Sequence, residues 1–203
     1  MNNLSNTARK LDKVLEIAHI VLGAIAIACI VGVALIGAAY ILKWDPDQIG
    51  SNYESFHIGF LELRLADAYA PDKWLVLLQA AITLAVSCRL LYDSRRGVGY
   101  IREILVPMKD GTPFQRIVST NLKKLASLSI VLGILFNIII LSEQIIAVFC
   151  YGLPELLLSE KIVYVNGMFT VDLTFLIYWA ILHLLSYVFQ YGEGLQQLSD
   201  ETI

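Results

Sequence analysis

The chain has 203 residues, 57% of them hydrophobic and 16% charged, with a mean hydropathy of +0.66. That balance lies outside the range of a soluble domain and makes a membrane protein the expectation. The net charge of -3 is small and conceals a segregation of sign along the chain that carries more information than the total.

Arg9, Lys10 and Lys13 precede an apolar run over residues 17–42, which is the outline of a signal peptide. The run exceeds both the ~7 to 15 residue core of a cleavable signal and the ~20 residues needed to span a bilayer, so it reads as an uncleaved first transmembrane helix. Cleavage after Gly37, Ala38 and Ala39 is the alternative. Ala24, Ala28 and Gly32 follow at four-residue steps, a stripe of small side chains that lets another helix approach closely.

The loop over residues 43–73 is acidic, with Asp45, Asp47, Glu54, Glu62, Asp67 and Asp72. Within it, residues 56–66 alternate Leu61, Leu63 and Leu65 with Glu62 and Arg64, the period of a half-buried strand. Tyr53, Phe56, His57, Phe60 and Tyr69 would be its ligand contacts if it were a sensor surface; a lid that orders the loop explains the same residues.

A second apolar run over residues 74–92 carries Gln79, Thr83 and Ser87 at helical spacing. The stretch 89–124 then holds eight of the fifteen Lys and Arg residues. Gly97 and Gly99 leave it open whether the second helix continues, and Tyr100, Ile101, Ile104 and Leu105 form an amphipathic patch that ends at Pro107. Beyond Asp110 and Gly111, Thr112 is expected as an N-cap, Pro113 at the first helical position and Gln115 at the third, completing a capping box. Phe114, Ile117, Val118, Leu122 and Leu125 share one face, so the third helix should start at this cap and run unbroken into the next apolar segment. The expected form of residues 93–124 is a basic helical hairpin, with Arg95, Arg96, Arg102, Arg116, Lys123 and Lys124 as candidate contacts to a partner or to anionic lipid. The patch is short and lacks a nucleic-acid motif, so direct nucleic-acid binding is not expected.

The third apolar run, residues 125–149, carries Ser129, Gly133, Asn137 and Gln144; the fourth, residues 172–191, carries Asp172, His183, Ser186 and Gln190. Polar stripes of this kind should face one another inside a bundle, where hydrogen bonds between helices explain them. Gln79, Asn137, Glu143 and His183 are the candidate intramembrane polar residues, and a relay through Glu143, His183 and Asp172 is the transport reading. Glu143 and Asp172 fall near helix ends, and Asp172 with Thr170 is equally suited to capping the fourth helix. Between the two runs, apolar segments flank Asn166-Gly167, a hairpin signal. Past the fourth run, Glu193, Asp200 and Glu201 make the tail acidic, suited to pairing with the basic hairpin.

The inferred architecture is an all-α membrane protein, a single domain over residues 1–203, with four transmembrane helices at about 17–42, 74–92, 125–149 and 172–191. The N-terminus and the 89–124 stretch hold 11 Lys and Arg against 4 in the other two loops, which places both termini in the cytoplasm. The outer loops, 43–73 and 150–171, are expected to form a small extracytoplasmic β-hairpin or sheet. Cys29, Cys88 and Cys150 fall in separate segments without metal-site spacing, and His19, His57 and His183 lie apart with no HExxH motif. No catalytic, metal or cofactor-binding residues are assigned, and an enzyme is not expected.

Two pieces of the chain carry a family resemblance. Gly111 to Phe114 with Asn121, Leu122, Lys123 and Lys124, and the ending from Phe189 through Tyr191, Gly192, Leu195, Gln196 and Asp200 to Thr202, together resemble the bacterial four-helix membrane family catalogued as domain of unknown function 2975. The resemblance extends over the whole chain. It implies a multi-pass protein of the bacterial cytoplasmic membrane, no defined catalytic residues, and a gene neighbour encoding a small helix-turn-helix regulator. The departure from that pattern is the proline within residues 101–108, where a more continuous helix is expected. The resulting expectation is a non-enzymatic sensory or regulatory protein that binds or tethers such a regulator, with membrane lipid as the other partner and a homo-oligomer left open. The alternative is a small transporter or ion-conducting protein that uses the inward polar residues.

Overall fold

The computed structural model describes residues 2–42, 55–58, 61–64, 73–145 and 170–201. Four long helices dominate them: α1 (Asn2–Ile41), α2 (Lys73–Lys109), α3 (Arg116–Ile145) and α4 (Thr174–Glu201). Between α1 and α2, strands β1 (Ser55–Ile58) and β2 (Leu61–Arg64) pair antiparallel, with Ile58 opposite Leu61. The chain divides into two compact units. The first comprises Met1–Ala28, Ser87–Phe136 and Asp172–Ile203; the second comprises Cys29–Val86 and Asn137–Val171.

The helices outrun the apolar segments that predict them. α1 begins fifteen residues before the apolar run, at Asn2, and its 40 residues extend about 60 Å at 1.5 Å per residue, roughly twice a ~30 Å hydrocarbon core. Its polar first turns are helical because they are held in place by α2. Asp12 accepts from Arg102 (3.0 Å) and Lys109 (2.6 Å), and Glu16 lies 3.8 Å from Arg102. Arg102 and Lys109 are two turns apart on α2, so one carboxylate can bridge them.

The second helix, left open at Gly97 and Gly99, runs through both and past Pro107, where the amphipathic patch is expected to end, to Lys109. Gly97 is a packing notch: a Cβ at that position would lie 3.1 Å from Leu128 Cδ2. Pro107 falls in the last turn, where the helix is about to end. The end itself is a Schellman motif, with Gly111 in the left-handed region (φ 76°). Thr112 N–H donates to the Pro107 carbonyl (2.9 Å) and Gly111 N–H to that of Met108 (3.4 Å).

That motif corrects the expected cap. Thr112 closes α2 and does not open α3, whose first helical residue is Arg116. The Thr112 hydroxyl donates to the Pro107 carbonyl (3.4 Å) and accepts from Gln115 Nε2 (2.8 Å), while Val118 N–H donates to the Gln115 carbonyl (2.9 Å). Gln115 therefore stands at the cap position, and Pro113 lies before the helix. From Arg116 the helix is unbroken to Ile145; the end of the expected span, residues 146–149, lies outside the described residues.

In the first unit, Ile104 from α2 and Val118 and Leu122 from α3 form a buried cluster, with Met108, Leu125, Leu182 and Phe189 packed around it. Phe114 lies 5.7 Å from Phe189, ring to ring, and a Cβ on Gly192 would collide with the Phe114 ring. Phe114, before α3, is thus packed against Phe189 and Gly192 of α4. α4 opens at Thr174, whose N–H donates to the Asp172 carboxylate (2.8 Å), and it continues past the expected end at residue 191 to Glu201.

In the second unit, the loop segment expected as one strand over residues 56–66 is a hairpin of two short strands, and only two residues separate them. The hairpin expected around Asn166-Gly167 lies outside the described residues. The small-residue stripe also needs correction, because Ala24 and Ala28 are exposed. The close approaches of α1 are instead made by Gly23, over which the Arg95 guanidinium lies, and by Gly32, where a Cβ would meet Leu84 at 3.4 Å.

Candidate functional site

The basic stretch predicted to face a partner is largely engaged within the first unit. Lys123 and Lys124 are adjacent in sequence and point to different helices. Lys123 Nζ donates to Gln190 of α4 (3.1 Å) and lies over the Tyr187 ring, whereas Lys124 donates to Asn121 (3.1 Å) and lies over Tyr100 of α2. Asn121 is fully buried and its amide is satisfied at both ends, since its Nδ2 donates to Glu103 (2.7 Å). Arg102 holds Asp12 and Glu16. Arg96 reaches Asp93 (3.5 Å) and donates to the Tyr100 hydroxyl (3.1 Å). Arg116 is exposed at the start of α3. Among the described residues, the ion pairs of this stretch go to Asp12, Glu16 and Asp93. The acidic tail meets the hairpin instead through Phe189, Gln190 and Gly192.

Two charge clusters were not anticipated from the sequence. Asp93 is only 1% exposed and accepts from Arg89 (2.7 Å) one turn before it and from Arg96 one turn after it. The i, i+4 and i, i+3 spacing of these residues was visible in the sequence, although burial of the carboxylate was not. The Asp12 cluster joins residues 90 and 97 positions apart, for which no local pattern exists. Hydrogen bonds from Lys109 and then Arg102 hold the Asp12 carboxyl below the usual carboxylate value of 3.8.

The first unit also contains a cavity of about 310 Å³ between α1 and α2, lined by His19, Tyr92, Arg95, Arg96, Tyr100 and Glu103. Arg95 Nε–H donates to His19 Nε2 (2.9 Å), so the neutral ring carries its proton on Nδ1. Nδ1 is buried and has no hydrogen-bond partner among the described residues. Gly99 completes the wall, and a Cβ placed there would meet nothing within 4 Å.

Among the described polar residues of the apolar runs, several are satisfied within their own helices. Ser129, Ser142 and Ser186 each donate to the carbonyl three residues earlier on their own helix, at 2.7 Å. Such back-bonding satisfies a hydroxyl without a partner helix. His183 belongs to the first unit and sits between Trp179, stacked at 5.4 Å, and Tyr187, edge-on at 5.0 Å, both from α4 itself. Gln79, Asn137 and Glu143 belong to the second unit; Asn137 is buried, Gln79 half-buried and Glu143 exposed. Gln144 makes a two-way contact with Thr170, donating to its hydroxyl (2.6 Å) and accepting from its N–H (2.9 Å). Asp172 has the capping role already described.

The fold and these sites describe a helical membrane protein. Among the described residues, three stretches, Ser5–Ala39, Arg116–Ile145 and Thr174–Ser199, are long and apolar enough to cross a bilayer. No family model, curated protein or solved structure matches the chain.

Proposed function

We propose that the chain is a non-enzymatic regulatory membrane protein whose α2–α3 turn and α4 tail bind a small cytoplasmic helix-turn-helix regulator. In this reading the apolar part of α2, residues 74–92, is a fourth crossing, and the basic count places both termini and the turn in the cytoplasm. The β1–β2 hairpin then lies on the outer side. The resemblance to the domain of unknown function 2975 family points the same way, since its genes neighbour such regulators.

The observation that carries the reading is a set of exposed apolar side chains on helix segments beyond the apolar runs. Val106 and Ile117 flank the turn at 52% and 43% exposure, and Leu195 and Leu198 on the tail are 51% and 62% exposed. Large apolar groups outside the bilayer favour a protein partner over water. Arg116 stands beside Ile117 and supplies charge to the same surface. Transport draws less support, because the serine hydroxyls of α3 and α4 are satisfied within their own helices.

The test is co-purification of the detergent-solubilised full-length protein with a small helix-turn-helix protein of the kind that the resemblance implies. Retention that is lost when residues 192–203 are removed, or in Ile117→Glu, supports the proposal. Equal recovery with empty resin overturns it.

A further inference from the structure

We infer that the cavity between α1 and α2 binds the phosphate group of an anionic membrane lipid. Its location is the first argument. His19 lies two residues inside the apolar run that begins at residue 17, and Tyr92 is the last residue of the run that ends at residue 92. Both helices therefore bring this cavity to the boundary between hydrocarbon and water, the level at which lipid phosphates lie and where tyrosine is favoured.

Charge and hydrogen-bonding capacity are the second argument. Arg95 and Arg96 both line the cavity, with Glu103 as its acidic member, and Glu103 already accepts from Asn121. Among the described residues, Arg95 has no carboxylate within ion-pair distance; its Nε–H is directed at His19. A guanidinium is the side chain best matched to two phosphate oxygens. The buried His19 Nδ1–H would gain an acceptor from the same anion. The tyrosine hydroxyls of Tyr92 and Tyr100 add further donors.

Space and surroundings are the third. A volume of about 310 Å³ falls at the small end of the ~300–1,000 Å³ range of ligand pockets, suited to a headgroup and not to a whole lipid. The acyl chains would continue along the outer face of α1, where Ile20, Val21 and Ile25 are 64%, 48% and 45% exposed. Basic pockets between helices at the membrane surface hold lipid phosphates in this manner. The site stands independently of any protein partner at the α2–α3 turn.

The experiment uses the full-length protein in a neutral detergent, titrated with phosphatidylglycerol, with phosphatidylcholine, and separately with inorganic phosphate, and read by native mass spectrometry and thermal stabilisation. Phosphatidylglycerol should bind at one molecule per chain and phosphatidylcholine more weakly. Arg95→Gln with Arg96→Gln should weaken binding at least about tenfold. The matched pair Arg116→Gln with Lys123→Gln removes equal charge elsewhere and should leave it within about twofold. Gly99→Leu keeps every charge, has room for its Cβ, fills the cavity and should weaken binding as the arginine pair does. Since leucine is the better helix former, that variant also separates loss of the site from loss of the fold. Saturation by inorganic phosphate at concentrations comparable to the lipid would overturn the assignment to lipid. Equal loss in both charge pairs, or unchanged binding in Gly99→Leu, would overturn the site itself.

Discussion

α1 and α3 both lie against α2 in the first unit, yet different forces hold them there. α3 is packed into place: Val118 is fully buried, Leu122 7% exposed, Leu128 fills the notch at Gly97, and Asn121 is bonded to Glu103. α1 is tethered by charge, through Asp12 to Arg102 and Lys109 and through His19 to Arg95. The buried residues of α1 are few and small, Ala8, Gly23 and Ala39, whereas α3 buries Val118, Leu122, Ala126 and Leu128. In lipid an apolar surface gains little from meeting another apolar surface, so polar contacts beyond the hydrocarbon can decide where such a helix sits. The lesson is that two helices of similar composition can differ in how firmly they are attached.

Removing packing from the α3 side should have the largest effect. Leu122→Ala is expected to destabilise by about 2–5 kcal/mol, read as a lower midpoint of thermal unfolding followed by circular dichroism in detergent. An unchanged midpoint would remove packing as the basis of the comparison. Gly192→Ala comes next, at about 1–3 kcal/mol, because its Cβ meets the Phe114 ring. The double variant with Phe114→Leu should recover most of that loss; no recovery would mean that the collision is not the cause.

The α1 side should respond least and in a different manner. Asp12→Asn should change the unfolding midpoint by the equivalent of less than about 1 kcal/mol, since its partners are part-exposed and screened by solvent. The change should appear instead as faster amide exchange over the first turns of α1, and raised salt should mimic it. The sign with pH follows from the lowered carboxyl value. The tether is fully present above the ordinary value of 3.8 and is lost as pH falls through the lower folded value. Exchange in α1, corrected for intrinsic rate, should therefore rise below about pH 3.8 in the wild type and not in Asp12→Asn.

The same contrast governs what could be read from the sequence. The apolar runs announced their helices, and Asp110 and Gly111 were legible as a turn, because hydropathy and a turn glycine are local properties. The extension of α1 could not be read, since Arg9 through Glu16 resemble a polar tail until Arg102 and Lys109 are placed beside them. Gly97 left the continuity of α2 open because its partner, Leu128, is distant in sequence. Thr112 satisfied the pattern of an N-cap while the geometry used it to close the preceding helix. The lipid-phosphate cavity depends on His19 meeting Arg95, 76 residues away, and no spacing rule foretells that.

The buried amide of Asn121 has a consequence for alignment. Its donor faces Glu103 on α2 and its acceptor faces Lys124. Sliding α3 by one turn would carry Lys124 along with the amide but take its donor away from Glu103, leaving a buried N–H without its partner on α2. A polar peg of this kind rejects mismatched pairings more strongly than it strengthens the correct one, so the α2–α3 hairpin has a single register to transmit along its length.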